Sequence, residues 1–82
     1  MDTKALELAI SLAGSQSALA ERIGKKQSHV WSWMNRDRKC PSAMAIPVAS
    51  AVGYRVTPHE LRPDIYPHPH DGLPEAMRKL AS

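Results

Sequence analysis

The chemistry of this 82-residue sequence gathers between Lys25 and Lys39. Five cations stand there, Lys25, Lys26, Arg36, Arg38 and Lys39, against one acid, Asp37. They bracket a polar run, Gln27-Ser28-His29, followed by Ser32. A local cluster of that sign suits a phosphate backbone, and it says more than the net charge of +3. Other chemistries lack their parts. No nucleophile has a base and an orienting group near it, no glycine-rich loop cradles a phosphate, and no carboxylate pair is spaced for a metal. Enzymatic activity is therefore not expected. His59, His68, His70 and Asp71 invite a metal, but zinc needs three or four ligands on an ordered frame. Two histidines in a proline-rich segment do not supply one, and no metal or cofactor is expected. Cys40 is the single cysteine, so it forms no internal disulfide and reads as an incidental free thiol.

Two short helices must position the polar run. Gln16 to Trp33 (QSALAERIGKKQSHVWSW) reads as a helix, a glycine turn and a second helix. Leu19, Ile23, Val30 and Trp33 fall where the two would bury residues against each other. Ala20 is small at their crossing, and Gly24 sits where the backbone must leave the first helix. This is helix-turn-helix geometry, in which the second helix enters the DNA major groove.

The flanking chain completes an all-α fold. Leu6, Ala9, Ile10 and Ala13 recur at helical spacing, with Leu8 and Leu12 widening the stripe, so a first helix spans Thr3 to Ala13. Asp2 or Thr3 caps it and Gly14 ends it. Ser15 caps the next helix, Gln16 to Ile23. The helix after the turn runs to about Met34, and NRDRKC is a polar loop. Pro41 opens a further helix that stops at Gly53. Pro47 lies inside that pattern and is expected to kink it. Starting near Ile46 after a looser turn is the alternative. Thr57, Pro58 and Glu60 form a capping box with proline at the first helical position, and Pro63 must end that helix. Tyr54 to Val56 reads as briefly extended. From Pro63 (PDIYPHPHDG) an extended connector is predicted. A last short helix begins at Pro74, with Met77 and Leu80 on one side.

No apolar stretch reaches the roughly 20 residues that span a bilayer, and no signal-peptide layout is present, so a cytoplasmic protein is expected. Two Trp, two Tyr and no Phe require an aliphatic core. A chain this short leans on an oligomer for part of its stability.

Gln16 to Asn35 resembles the helix-turn-helix of the phage lambda repressor and Cro superfamily, on Gln16, Leu19, Ala20, Ile23, Gly24, Gln27, Val30, Trp33 and Asn35. A wider resemblance, over residues 5 to 67, is to the YdaS-type regulators of prophages, carried by Pro41 to Gly53, Val56-Thr57 and Leu61-Arg62-Pro63-Asp64-Ile65-Tyr66-Pro67. The resemblance implies a lambda-repressor-like domain of four or five short helices over residues 1–66, with a Pro/His-containing segment over 67–82. Some Cro proteins instead carry a strand pair in the second half. It also implies roles. Gln16 bonds a phosphate from a helix N-terminus. Gln27, Ser28, Ser32 and His29 reach base edges, glutamine being able to grip adenine through two bonds. Lys25, Lys26, Asn35, Arg36 and Arg38 meet the backbone. Trp31 departs from the family, where a small polar residue is commoner. It either packs on a sugar, a thymine methyl or a partner subunit, or lies part-buried against the first helix. Trp33 reads as core.

The expected function is binding of a palindromic operator as a Cro-like repressor. A homodimer would place its recognition helices about 34 Å apart. Its dimer surface is expected among Tyr54, Ile65, Tyr66, Met77 and Leu80. The YdaS-type resemblance also admits an antitoxin-like module that captures a toxin or regulator, with DNA binding secondary. An activator of the phage CII kind is a third reading.

Overall fold

The computed structural model describes residues 3–77, and among these the regular structure is all helical, with no strand. Helix α1 spans Lys4–Ala13 and buries Leu6, Ala9 and Ala13. Leu8 faces away at 46% exposure, so the apolar stripe is narrower than its sequence pattern. Thr3 makes no side-chain cap and instead donates to the Glu7 carboxylate at 3.4 Å. Asp2, the other expected cap, lies outside the described residues.

Helix α2, Gln16–Ile23, begins as its sequence requires: the Ser15 hydroxyl accepts from the Ala18 N–H at 3.1 Å. This bond satisfies one of the free amides of the first turn. Helix α3 covers Gln27–Ser32 and runs on as a π-helical segment, Trp33–Asp37. The predicted polar loop is therefore helical as far as Asp37. Arg38 ends it in the left-handed region at φ 56°. Both Arg38 and Lys39 donate their N–H to the Trp33 carbonyl.

Pro47 does not kink a long helix. A 3₁₀ turn, Ser42–Met44, comes first, and α4 is confined to Ala45–Ala51. Pro47 is thus the third residue of α4, in the first turn, where its missing N–H costs no helical bond. The looser turn displaced the kink because it places proline where the helix has nothing to lose. Helix α5, Pro58–Leu61, carries the full capping box: Glu60 N–H donates to the Thr57 hydroxyl at 3.2 Å, and Thr57 N–H to the Glu60 carboxylate at 3.3 Å.

Tyr54 is not extended. It takes φ 60° after Gly53 and closes a turn through a bond from its N–H to the Ala49 carbonyl at 2.8 Å. The segment after Pro63 is also not an extended connector. Ile65 and Tyr66 N–H groups both bond the Arg62 carbonyl, and Leu73 is buried at 8% exposure. Residues 75–77 are helical after Pro74. Leu80 lies outside the described residues.

One core unites the helices. Leu19, Val30, Val48 and Val56 are fully buried, joined by Leu6, Ala9, Ala20, Trp33, Ala45, Ala49 and Leu61. Burying each of the large aliphatic side chains contributes about 1.5–3 kcal/mol. Their position fixes α3 by one face only and leaves its opposite face to solvent.

Candidate nucleic-acid interface

The turn between α2 and α3 is set by Gly24. At φ 70° it occupies the left-handed region, with open space around its α-carbon. Its N–H bonds the Glu21 carbonyl at 3.3 Å, and the Lys25 N–H reaches the Ala20 carbonyl at 2.9 Å, so the last carbonyls of α2 are satisfied. Lys26 then extends (φ −91°, ψ 153°) and α3 begins. Leu19, Ala20, Val30 and Trp33 are all buried between the helices, as their spacing predicts, and Ile23 packs part-buried beside them.

The fold brings the two glutamines together. Gln27 Nε2 donates to Gln16 Oε1 at 2.7 Å, across 11 residues of sequence. This bond leaves Gln27 with its oxygen and one N–H for another partner. Ser28 is exposed next to it, while Ser32 is half-buried. His29 is already engaged: its Nδ1 accepts from the Lys26 N–H at 3.2 Å. Nδ1 must then be unprotonated, which puts the ring hydrogen on Nε2. Around the axis, at about 100° per residue, His29 stands about 100° beyond Ser28, toward the Trp33 side.

Trp31 is 51% exposed, so the part-buried alternative is overturned. The residues expected to meet a phosphate backbone differ in how far they are free to do so. Lys25, Lys26 and Arg38 are exposed. Arg36 is exposed too but shares its Nε with Asp37 at 3.1 Å. Asn35 turns its amide nitrogen back onto the Trp31 carbonyl at 3.0 Å, which leaves one N–H for any other acceptor.

Of the residues expected at a dimer surface, Ile65 is 41% exposed, whereas Tyr54 and Tyr66 are packed against the core and Met77 is half-buried.

Arg62 has a structural role that was not expected of it. Its guanidinium is buried at 8% exposure and grips Asp64 through two bonds, 3.0 and 2.8 Å, while NH1 donates to the Cys40 carbonyl at 3.0 Å. It fastens the chain leaving α3 to the chain leaving α5. The signal was present in the spacing Arg62-Pro63-Asp64, where proline fixes the turn that presents the carboxylate. The Asp64 hydrogen bond and charge hold the arginine protonated, and Arg62 in turn lowers the Asp64 carboxyl. Arg22 was also missed: it caps α4 through the Ala51 carbonyl at 3.0 Å. His59, weighed above as a metal ligand, has its Nδ1 bonded to the Tyr66 carbonyl at 2.7 Å. Cys40 is buried at 1% exposure, and burial pushes its thiol up to about 12 against a smaller lowering by Arg62.

An all-helical domain with a helix-turn-helix at its centre is the class this geometry defines. Residues 6–70 match the model of the family described as Bacterial toxin YdaS, and the chain belongs to that family. The description names a toxin, where the resemblance above suggested an antitoxin-like regulator. No curated protein and no solved structure matches the sequence.

Proposed function

We propose that this chain is a sequence-specific DNA-binding regulator of the Cro type, acting in the cytoplasm as a homodimer on an inverted-repeat operator. The observation that supports it best is the Gln16–Gln27 bond at 2.7 Å. It fixes a base-reading amide at the head of a helix whose outer face is polar and whose flanks carry exposed cations. Gln27 and Ser28 read bases, and Ser32 lies at the edge of the same face. His29 offers Nε2–H to an acceptor on a base or phosphate. Gln16, Lys25, Lys26, Arg36 and Arg38 hold phosphates, with Asn35 in a lesser part. Affinity comes mainly from neutralised phosphates and falls with salt.

The test is selection of duplexes from a random-sequence pool at physiological salt. An enriched inverted repeat with half-sites about one helical turn apart supports the reading. Binding without enrichment removes it. Transcription from a reporter carrying the selected site then separates a repressor from an activator.

A second reading draws support from the family description, which names a toxin. In it the chain captures or is captured by a protein partner. Because Leu73 is buried, the informative truncation removes residues 74–82 and leaves the packed turn intact. Loss of partner capture with operator binding retained favours this reading. Loss of DNA binding with a lower oligomer mass places the dimer surface there.

A further inference from the structure

We infer that Trp31 reads the C5-methyl group of a pyrimidine in the major groove, making thymine, or a 5-methylated cytosine, a determinant of the site; this rests on the DNA-binding reading above. Trp31 is the one large apolar side chain on a face that is otherwise polar. Val30 and Trp33, at 0% and 6% exposure, fix which side of α3 faces the core. Trp31 then falls about 40° from Gln27 and about 60° from Ser28 around the helix axis, between the two base-reading residues. Its indole is 51% exposed, while its own carbonyl is tied to Asn35 at 3.0 Å, so the backbone that carries the ring is held. Gln27 beside it is pinned by Gln16, so the amide cannot swing over the indole without breaking a 2.7 Å bond.

The chemistry of the groove selects the target. The thymine C5-methyl is its principal apolar feature, and the other groups by which bases are told apart there are donors and acceptors. An indole offers a wide apolar plate, one N–H donor and no acceptor. Laid against a methyl, the plate excludes water at little polar cost. Trp31 lies four residues beyond Gln27, about 6 Å along the helix, which places its pyrimidine one or two base pairs from the pair Gln27 reads.

The experiment replaces each thymine of the selected operator, one at a time, with deoxyuridine, which removes only the methyl. Wild-type protein and Trp31→Ala are titrated on each duplex at fixed salt. At one or two positions the wild type should lose about three- to fivefold in affinity, the factor for about 0.8 kcal/mol of buried methyl-sized surface. Trp31→Ala should bind the thymine and uracil duplexes there alike. Cytosine with a 5-methyl at that position should be bound better than plain cytosine by the wild type alone. Trp31→Phe, which keeps an apolar ring, should retain part of the discrimination. Uracil sensitivity that persists in Trp31→Ala overturns the inference and leaves the DNA-binding reading standing. So does a Trp31→Ala loss that is equal on all duplexes and accompanied by a smaller oligomer, since Trp31 would then belong to a subunit contact. Failure of the wild type to bind any duplex selectively overturns both.

Discussion

A glutamine whose amide is already bonded has fewer rotamers to lose when a base arrives. Gln27 is in that position because Gln16 holds it, and ordering a long side chain otherwise costs about 0.5–1.5 kcal/mol on binding. Gln27→Ala should therefore weaken the selected operator by about 1–3 kcal/mol and relax preference at one base pair, while leaving random DNA unaffected in parallel titrations. Cys40 makes the opposite kind of prediction. Its thiol is buried and pushed up to about 12, so the nucleophilic thiolate is scarce near neutral pH. Thiol reagents should label it only as fast as the protein opens, and denaturant should restore ordinary reactivity. Because the folded value is raised, stability is lost as pH rises above the ordinary thiol range toward 12. Much at this scale was legible in advance. The buried Val30 and Trp33 follow from helical spacing alone. The commitments of Asn35 and His29 to their own backbone were not, because each depends on which backbone group the folded chain brings within reach of the side chain.

Elements were readable where local chemistry decides them and unreadable where register does. Ser15, Gly24 and the Thr57–Glu60 box set their helix ends by side-chain and backbone bonds within a few residues. The π-helical stretch at Trp33–Asp37 has no such local mark, so the polar NRD run reads as a loop although it continues α3. Pro47 misled for a related reason: its cost depends on where the helix begins, and the 3₁₀ turn before it carries no strong signal. Glycines test the same distinction. Gly24 has a positive φ in open space, so Gly24→Ala should cost about 1 kcal/mol of backbone strain in urea unfolding. Gly72 combines φ 79° with a site where a β-carbon would stand 2.8 and 2.9 Å from the ring carbons of buried Pro58. Gly72→Ala should cost more, about 1–3 kcal/mol beyond the strain, because the proline ring cannot swing aside. Equal losses at the two positions would show that the 68–73 turn is not seated on α5.

Across the whole molecule, charge and one buried cation carry the testable consequences. Lys25→Ala should weaken operator and random DNA alike and make the dependence of log affinity on log salt shallower by about one unit. The Arg62 guanidinium holds the Asp64 carboxyl below its ordinary value, chiefly through their hydrogen bond. A lowered folded value contributes stability that is complete above the ordinary aspartate range and disappears as pH falls through the lower one. Acid titration of stability should thus be flatter in Asp64→Asn than in the wild type. Arg62→Met keeps an apolar stem but strands the buried Cys40 carbonyl, and should lower stability by about 1–3 kcal/mol in denaturant unfolding. The spacing of Arg62 and Asp64 marks their pairing, but the tie to Cys40 was not legible, since it joins residues 22 apart through a backbone oxygen that no sequence pattern marks.

That same guanidinium has a consequence for how the protein opens. It spans the exit of the π-helical turn and the turn after α5, so neither strand of chain can peel away while the other stays in place. Local fluctuations that in separate loops would be independent become a single event. Amide hydrogens at Lys39 and at Ile65 and Tyr66, each bonded in its own turn, should exchange with solvent at one shared opening free energy. In Arg62→Met the two groups should part, each exchanging at its own faster rate.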